Sequence, residues 1–118
     1  LEVQTNHPLR DGGVTCREGG IRVLAMARWP GRIRAGAVSG ALVSAHDLLP
    51  LALGLAGAGR PADRVLDGRD PRGVLEGRNR RGHARLGFEF TRQQALREGK
   101  WKLFREKPEA AWELYDLE

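Results

Sequence analysis

One cysteine, Cys16, stands in 118 residues, which excludes an internal disulfide and implies no oxidising compartment. Aromatic residues are scarce too, with three Trp, three Phe and one Tyr. A core is therefore expected to rest mainly on Leu, Val and Ala. No apolar run approaches the roughly 20 residues that cross a bilayer, so no membrane segment is expected. The three histidines, His7, His46 and His83, have no spacing that makes a metal site. There is no initiator Met at Leu1, and the closing Trp112-Glu113-Leu114-Tyr115-Asp116-Leu117-Glu118 reads as a strand entering an unfinished turn. Both ends are expected to be cut, which leaves the compartment unknown.

What the chain does carry is basic charge. The net charge is +5 and the pI about 10.3, a balance compatible with nucleic acid or anionic surfaces. Of 20 basic residues 17 are Arg, spread from Arg10 to Arg105. The densest run is Arg78-Asn79-Arg80-Arg81-Gly82-His83-Ala84-Arg85. No aromatics interleave these arginines for base stacking, so a solvated loop is expected and no nucleic acid. With 41% hydrophobic and 30% charged residues, the chain is of ordinary soluble composition and has room for one domain at most.

Residues 1–20 are glycine-rich and read as loop, turning tightly at Gly12-Gly13 and Gly19-Gly20. Residues 21–29 form a near-continuous apolar run closed by Pro30-Gly31, the pattern of a buried strand. Residues 42–57 read as a deeply packed helix with a wide apolar arc. Ser44 and Asp47 have capping-box spacing; Pro50 argues for a start at Asp47, and Gly57 for a C-cap. Residues 58–72 are a connector, and Val74-Leu75-Glu76-Gly77 suits one helical turn. The last third predicts strands at 84–90, 94–97, 101–105 and 112–115. The sum is a small antiparallel sheet with one covering helix.

Several motifs resemble the sulfatase family, the enzymes that hydrolyse sulfate esters. The stretch PLRDGGVTCREGGIRVLAMARWPG, from Pro8 to Gly31, is similar without a gap to the family's PLRGGKGTTxEGGIRVPAxxRWPG. Val43-Ser44-Ala45-His46-Asp47-Leu48-Leu49-Pro50 resembles its VSxxDLxPTLL helix, and Pro61-Ala62-Asp63-Arg64-Val65-Leu66-Asp67-Gly68 its PADRxLDGxDL connector. Gln94 to Leu103 is similar to its AVRxGKWKL hairpin, and the closing WELYDLE to its last strand. Five motifs in order, across residues 5–118, carry the resemblance. It implies an α/β fold, the C-terminal part of an alkaline-phosphatase-like sulfatase. Residues 1–57 would then end the N-terminal catalytic domain, and 58–118 form the C-terminal subdomain.

The resemblance also implies chemistry that these motifs do not contain. The family's nucleophile is a formylglycine made from Cys or Ser in C/S-x-P-x-R, and calcium or another divalent cation is held by Asp and Asn clusters, all upstream of the matched region. Cys16 is followed by Arg17-Glu18-Gly19 and is refused as the nucleophile; an ordinary thiol is expected, its pKa lowered modestly by Arg17. The family lysine that reaches the sulfate falls on Gly13. Arg10 and Arg17 flank that loop, and Arg10 is the candidate substrate-binding residue. No catalytic or metal-binding residue is assigned within the chain. His7 lies near the family's pocket, His46 reads as a capping neighbour and His83 as part of the connector. Asp47 reads as a cap, and Arg22 as a partner for a carboxylate. The expectation is a fragment or degenerate sulfatase, inactive alone and packing on a missing N-terminal domain. The alternatives are a non-catalytic module binding sulfated or other anionic ligands, and a nucleic-acid binder resting on charge alone.

Overall fold

The computed structural model describes residues 6–118; the first five residues of the expected loop lie outside them. The chain divides into two compact units, residues 1–26 with 85–118, and 27–84. These are packing units of this chain. They cut it differently from the 1–57 and 58–118 segments, which are assigned by resemblance to a longer fold and remain an expectation about it.

The first unit is built on a four-stranded antiparallel meander: β1 (Arg85–Phe90), β2 (Gln93–Glu98), β3 (Trp101–Arg105) and β4 (Glu113–Asp116), in chain order. Two-residue turns set its register, Phe90 facing Gln93 and Glu98 facing Trp101. Gly99, at φ 55°, opens the second turn as the sequence predicts. Thr91 opens the first at φ 54°, a backbone region that β-branched residues rarely occupy. Alternation puts Phe88, Ala95, Phe104 and Glu113 in one cross-strand row, with Arg97, Lys102 and Tyr115 beside it on the same face. That face is the covered one. Cys16, Ala95 and Phe104 form its buried centre, with Phe88 and Tyr115 packed against them.

Within this unit the cover is the glycine-rich loop with α1 (Glu18–Ile21), a single turn. The loop folds back on itself tightly: the Gly19 N–H donates to the Arg10 carbonyl at 2.9 Å. A Cβ at Gly19 would lie 1.8 Å from the Asp11 carbonyl oxygen, and one at Gly20 2.3 Å from that of Thr15. Only glycine fits at either position.

The expected strand over residues 21–29 does not form. Ile21 ends α1, and the residues after it enter no helix or strand. An extended segment becomes a strand only by pairing its backbone groups with a neighbour, and the four-stranded sheet does not include it. Val23, Leu24 and Met26 are left 68, 83 and 88% exposed.

The second unit carries a 3₁₀ turn (Ala45–Asp47), α2 (Leu48–Ala56) and the single turn α3 (Arg72–Leu75). Ser44 and Asp47 make the capping box on the 3₁₀ turn, and α2 starts behind it with Pro50 at its third position, where no N–H is needed. Gly57 ends α2 in the left-handed conformation at φ 66°. The expected deep packing of this helix is not found. Pro50 is buried, but Leu48, Leu49 and Leu55 are about half exposed or more, because the unit contains no sheet to cover a wide apolar arc.

An exposed apolar segment with unpaired backbone favours association. The full chain should therefore gain mass with concentration in sedimentation velocity, and replacing Val23, Leu24 and Met26 by Ser should return it toward 13.0 kDa. A wild-type chain that stays at that mass throughout would show this segment to be inert.

Candidate anion-binding loop and its supports

The loop from Asn6 to Gly20 is fixed at three places. Asn6 Nδ2 donates to the carbonyls of Gly19 and Arg22. In the middle, Gln93 Oε1 on β2 accepts from both the Cys16 N–H at 2.8 Å and the Thr15 hydroxyl at 2.9 Å. At its end, Glu18 meets the sheet: one carboxylate oxygen lies 2.9 Å from Lys102 Nζ and the other 3.2 Å from Arg97 Nη1. Lys102 is only 3% exposed, so this is a charge pair largely out of water. The expected pairing of Arg22 with a carboxylate is not found among the described residues; the ion pairs of this motif are those of Glu18 with Lys102 and Arg97.

Arg17 is committed to structure. Its guanidinium lies over the Phe104 ring at 4.1 Å, with Asp11 at 3.2 Å and Glu106 at 3.0 Å, and its side chain is 13% exposed. The Gln93 amide first, helped by Arg17, holds the Glu106 carboxyl below its ordinary range against the opposing effect of burial. Arg17 thus has no freedom to act as the spare cation expected beside Gly13. Arg10 does: it is exposed, and among the described residues it enters no ion pair. Gly13 is exposed and a Cβ there would meet nothing within 4 Å, so a longer side chain fits at that position.

Cys16 corrects an expectation. It is an unpaired thiol at 1% exposure, and burial pushes its pKa up; the charge of Lys102 works the other way and does not offset this. The expected lowering by Arg17 is absent because that guanidinium faces Phe104 and the acids. The thiol is an apolar core atom, a poor nucleophile.

In the second unit, Asp47 is 2% exposed and its carboxylate has three partners. It accepts from the Ser44 N–H at 2.8 Å and the Arg69 N–H at 2.7 Å, and His83 Nε2 lies 2.7 Å away. Burial alone would raise its pKa; the two backbone N–H groups and the His83 ring outweigh that and hold it below the ordinary carboxylate range. The cap reading of Asp47 is thereby extended: it ties three segments together. His83 is buried against it rather than part of a solvated run. His46 is exposed, its Nδ1 3.1 Å from the Ser44 hydroxyl, and His7 is exposed in the loop. Among the described residues no group of three His, Cys, Asp or Glu side chains is placed to hold a metal ion. No described helix is long and apolar enough to cross a membrane.

The structural roles of Lys102, Gln93, Glu106 and Phe104 escaped the sequence reading. Strand alternation places Lys102 and Phe104 together, opposite Trp101, Leu103 and Arg105, but does not say which face is covered. Nothing local marks Gln93 as the anchor for residues 77 positions away.

No family model matches the chain. Among curated proteins it is similar to arylsulfatase G of Canis lupus familiaris, 42% identical over 97 residues, which is 76% of this chain and 18% of that protein. Arylsulfatase G of Mus musculus is 49% identical over 69 residues, 58% of this chain and 13% of that protein. The N-acetylgalactosamine-6-sulfatase of Canis lupus familiaris is 52% identical over 66 residues, 56% of this chain and 13% of that protein. The chain spans less than a fifth of the length of each of these three relatives.

Three outcomes follow from the burial of these groups. Iodoacetamide should alkylate Cys16 in the native chain about a hundredfold more slowly than in urea; equal rates would place the thiol at the surface. Asp47 has a lowered pKa in the folded state, so its contribution is complete above the unfolded value of about 3.9 and is lost as pH falls through the folded value. Urea unfolding should accordingly weaken below about pH 4. Asp47→Asn should cost about 2–3 kcal/mol at pH 7 by leaving a buried donor unmatched, and an unchanged midpoint would contradict the role given to it.

Proposed function

The chain belongs to the sulfatase family, and we propose that it is the part of a sulfuric ester hydrolase that shapes and supports the substrate-sulfate loop, within the C-terminal part of an alkaline-phosphatase-like fold. One observation carries this reading. Glu18, in the Glu18-Gly19-Gly20 motif, pairs with Lys102, in the Gly99-Lys100-Trp101-Lys102 motif, 84 residues away. Two of the motifs that mark the family are thereby joined, which supports a role for the pair in shaping the Arg10-to-Gly13 loop. In this reading Arg10 presents a guanidinium to the ester's sulfate, whose charge grows in the transition state; such a pre-positioned donor acts without reorganising. Gly13 leaves that loop short of a second cation.

The nucleophile belongs to another part of the enzyme: no Cys or Ser of this chain is followed by x-Pro-x-Arg, and Cys16 is buried and protonated by preference. A formylglycine and a calcium or similar cation, the latter to polarise the sulfuryl oxygens, would come with the larger N-terminal domain on which this segment packs. The exposed apolar run at Val23, Leu24 and Met26 is available for that packing.

The purified chain, given a chromogenic aryl sulfate and calcium, should show no turnover above buffer; turnover that survives repurification would overturn the assignment. In the enzyme that contains this segment, Arg10→Ala should lower kcat/KM about a hundredfold, and Gly13→Lys should raise it by a comparable factor. A parent already as active as Gly13→Lys, and unaffected by Arg10→Ala, would show that this loop does not hold the sulfate.

A further inference from the structure

Two β-branched residues of the first unit hold a backbone conformation that glycine takes freely and they do not: Val14 at φ 60° and Thr91 at φ 54°. Both line one groove of about 320 Å³, which falls within the size of small-molecule sites, roughly 300–1,000 Å³. Val14 stands where the family pattern PLRGGKGTTxEGG has glycine, one place after Gly13, where that pattern has lysine. Relative to the pattern, the loop lacks a cation and gains an apolar side chain at adjacent positions. The core does not call for that side chain, since Val14 is 80% exposed. Strained residues of this kind gather at ligand sites, where the side chain serves something other than packing.

Gln93 builds the groove. Its backbone faces Phe90 across the turn in which Thr91 sits. Its side chain takes the Thr15 hydroxyl and the Cys16 N–H, next to Val14, and its Nε2 donates to Glu106 Oε1 at 2.7 Å on a third wall. Phe90, 45% exposed, gives the groove an aromatic surface. The charges around it are unequally committed. Arg92 is held by Glu109 at 2.6 Å, and Glu106 by Arg17 at 3.0 Å. Lys107 lines the groove, is exposed, and has no carboxylate partner among the described residues. The Gln93 amide holds the Glu106 carboxyl low, and the charge of Arg10 adds to that. The Arg10 guanidinium therefore lies within electrostatic reach of the same wall.

We propose, resting on the reading of the Arg10 loop as the sulfate site, that this groove receives the leaving alcohol of the ester, an aromatic ring bearing a carboxylate, and that Val14 selects for it. Phe90 offers the ring an aromatic partner, and Val14 and the Thr91 methyl close on it from the loop and from the turn. Lys107 supplies the counter-charge for the carboxylate. With the sulfate at Arg10, both cations left without a carboxylate partner are then matched. A sugar ring carries hydroxyls on every side, and a wall made of Val14, Phe90 and the Thr91 methyl would leave several of them without a partner.

The test titrates the full chain with 4-hydroxybenzoate, phenol and glucuronate and follows the backbone amides by NMR. None of these probes carries a sulfate, so the result does not depend on whether Arg10 holds one. 4-Hydroxybenzoate should shift the amides of Val14, Thr91 and Gln93 together, and should bind at least about threefold more tightly than phenol or glucuronate. Val14→Gly should weaken it about fivefold by removing the apolar contact. The urea midpoint of that variant should be unchanged or higher, because glycine relieves the strain at φ 60°, so the loss cannot be put down to unfolding. Lys107→Gln should bring 4-hydroxybenzoate to the affinity of phenol. A Val14→Gly chain that binds as tightly as the parent would overturn the subsite. Glucuronate binding as tightly as 4-hydroxybenzoate would overturn the aromatic ring as occupant, and phenol binding as tightly would overturn the carboxylate and the role of Lys107.

Discussion

The salt bridge between Glu18 and Lys102 is the constraint on which the first unit depends. A lysine at 3% exposure cannot be left without a counter-charge, because an unpaired ammonium in that position carries a desolvation cost of several kcal/mol. Lys102 projects from β3 on the face that also carries Phe104, so its counter-charge must approach over the core. Glu18 does so from α1, bringing with it Gly19 and Gly20, whose missing side chains permit the approach. The loop that precedes them is then short, doubly anchored through Asn6 and Gln93, and closed. Arg17 completes the cover by stacking on Phe104 and meeting Asp11 and Glu106. Every buried side-chain nitrogen and oxygen among the described residues has a partner. The loop that would receive a sulfate is thereby shaped by electrostatics at its far end, with only a three-residue apolar centre beneath it.

The second unit solves a similar problem with the opposite sign. There the buried charge is an acid, Asp47, and its partners are backbone N–H groups and an imidazole rather than long cationic side chains. The same carboxylate therefore serves as helix cap and connector clamp.

The sequence announced whatever was local. The turn at Gly99, the cap at Ser44 and Asp47, the left-handed Gly57 and the four strands were readable from spacing alone, because each is decided within a few residues. What it could not announce was which partner a segment would find. The apolar run after Ile21 has the composition of a buried strand, but pairing is a property of the neighbour. The leucines of α2 imply a surface to pack on, which this unit does not supply. Lys102 and Gln93 look like ordinary polar strand residues until residues 16–18 are laid against them. Arg17 looked like a spare cation beside Gly13, and became a structural one once Phe104 and Glu106 were seen around it. The motifs identified the family; the contacts between motifs identified which residues carry structure.

A double-mutant cycle of Glu18→Gln and Lys102→Met, read by urea unfolding of the full chain, tests the central claim most directly. Glu18→Gln leaves the buried Lys102 without its counter-charge and should cost about 3–5 kcal/mol, whereas Lys102→Met leaves Glu18 with Arg97 and should cost less. The double change removes both charges together and should cost much less than the sum, giving a coupling energy of about 2 kcal/mol or more. Coupling below about 0.5 kcal/mol, with the Gly19 amide as protected from hydrogen exchange in both single variants as in the parent, would show that the loop keeps its shape without this pair.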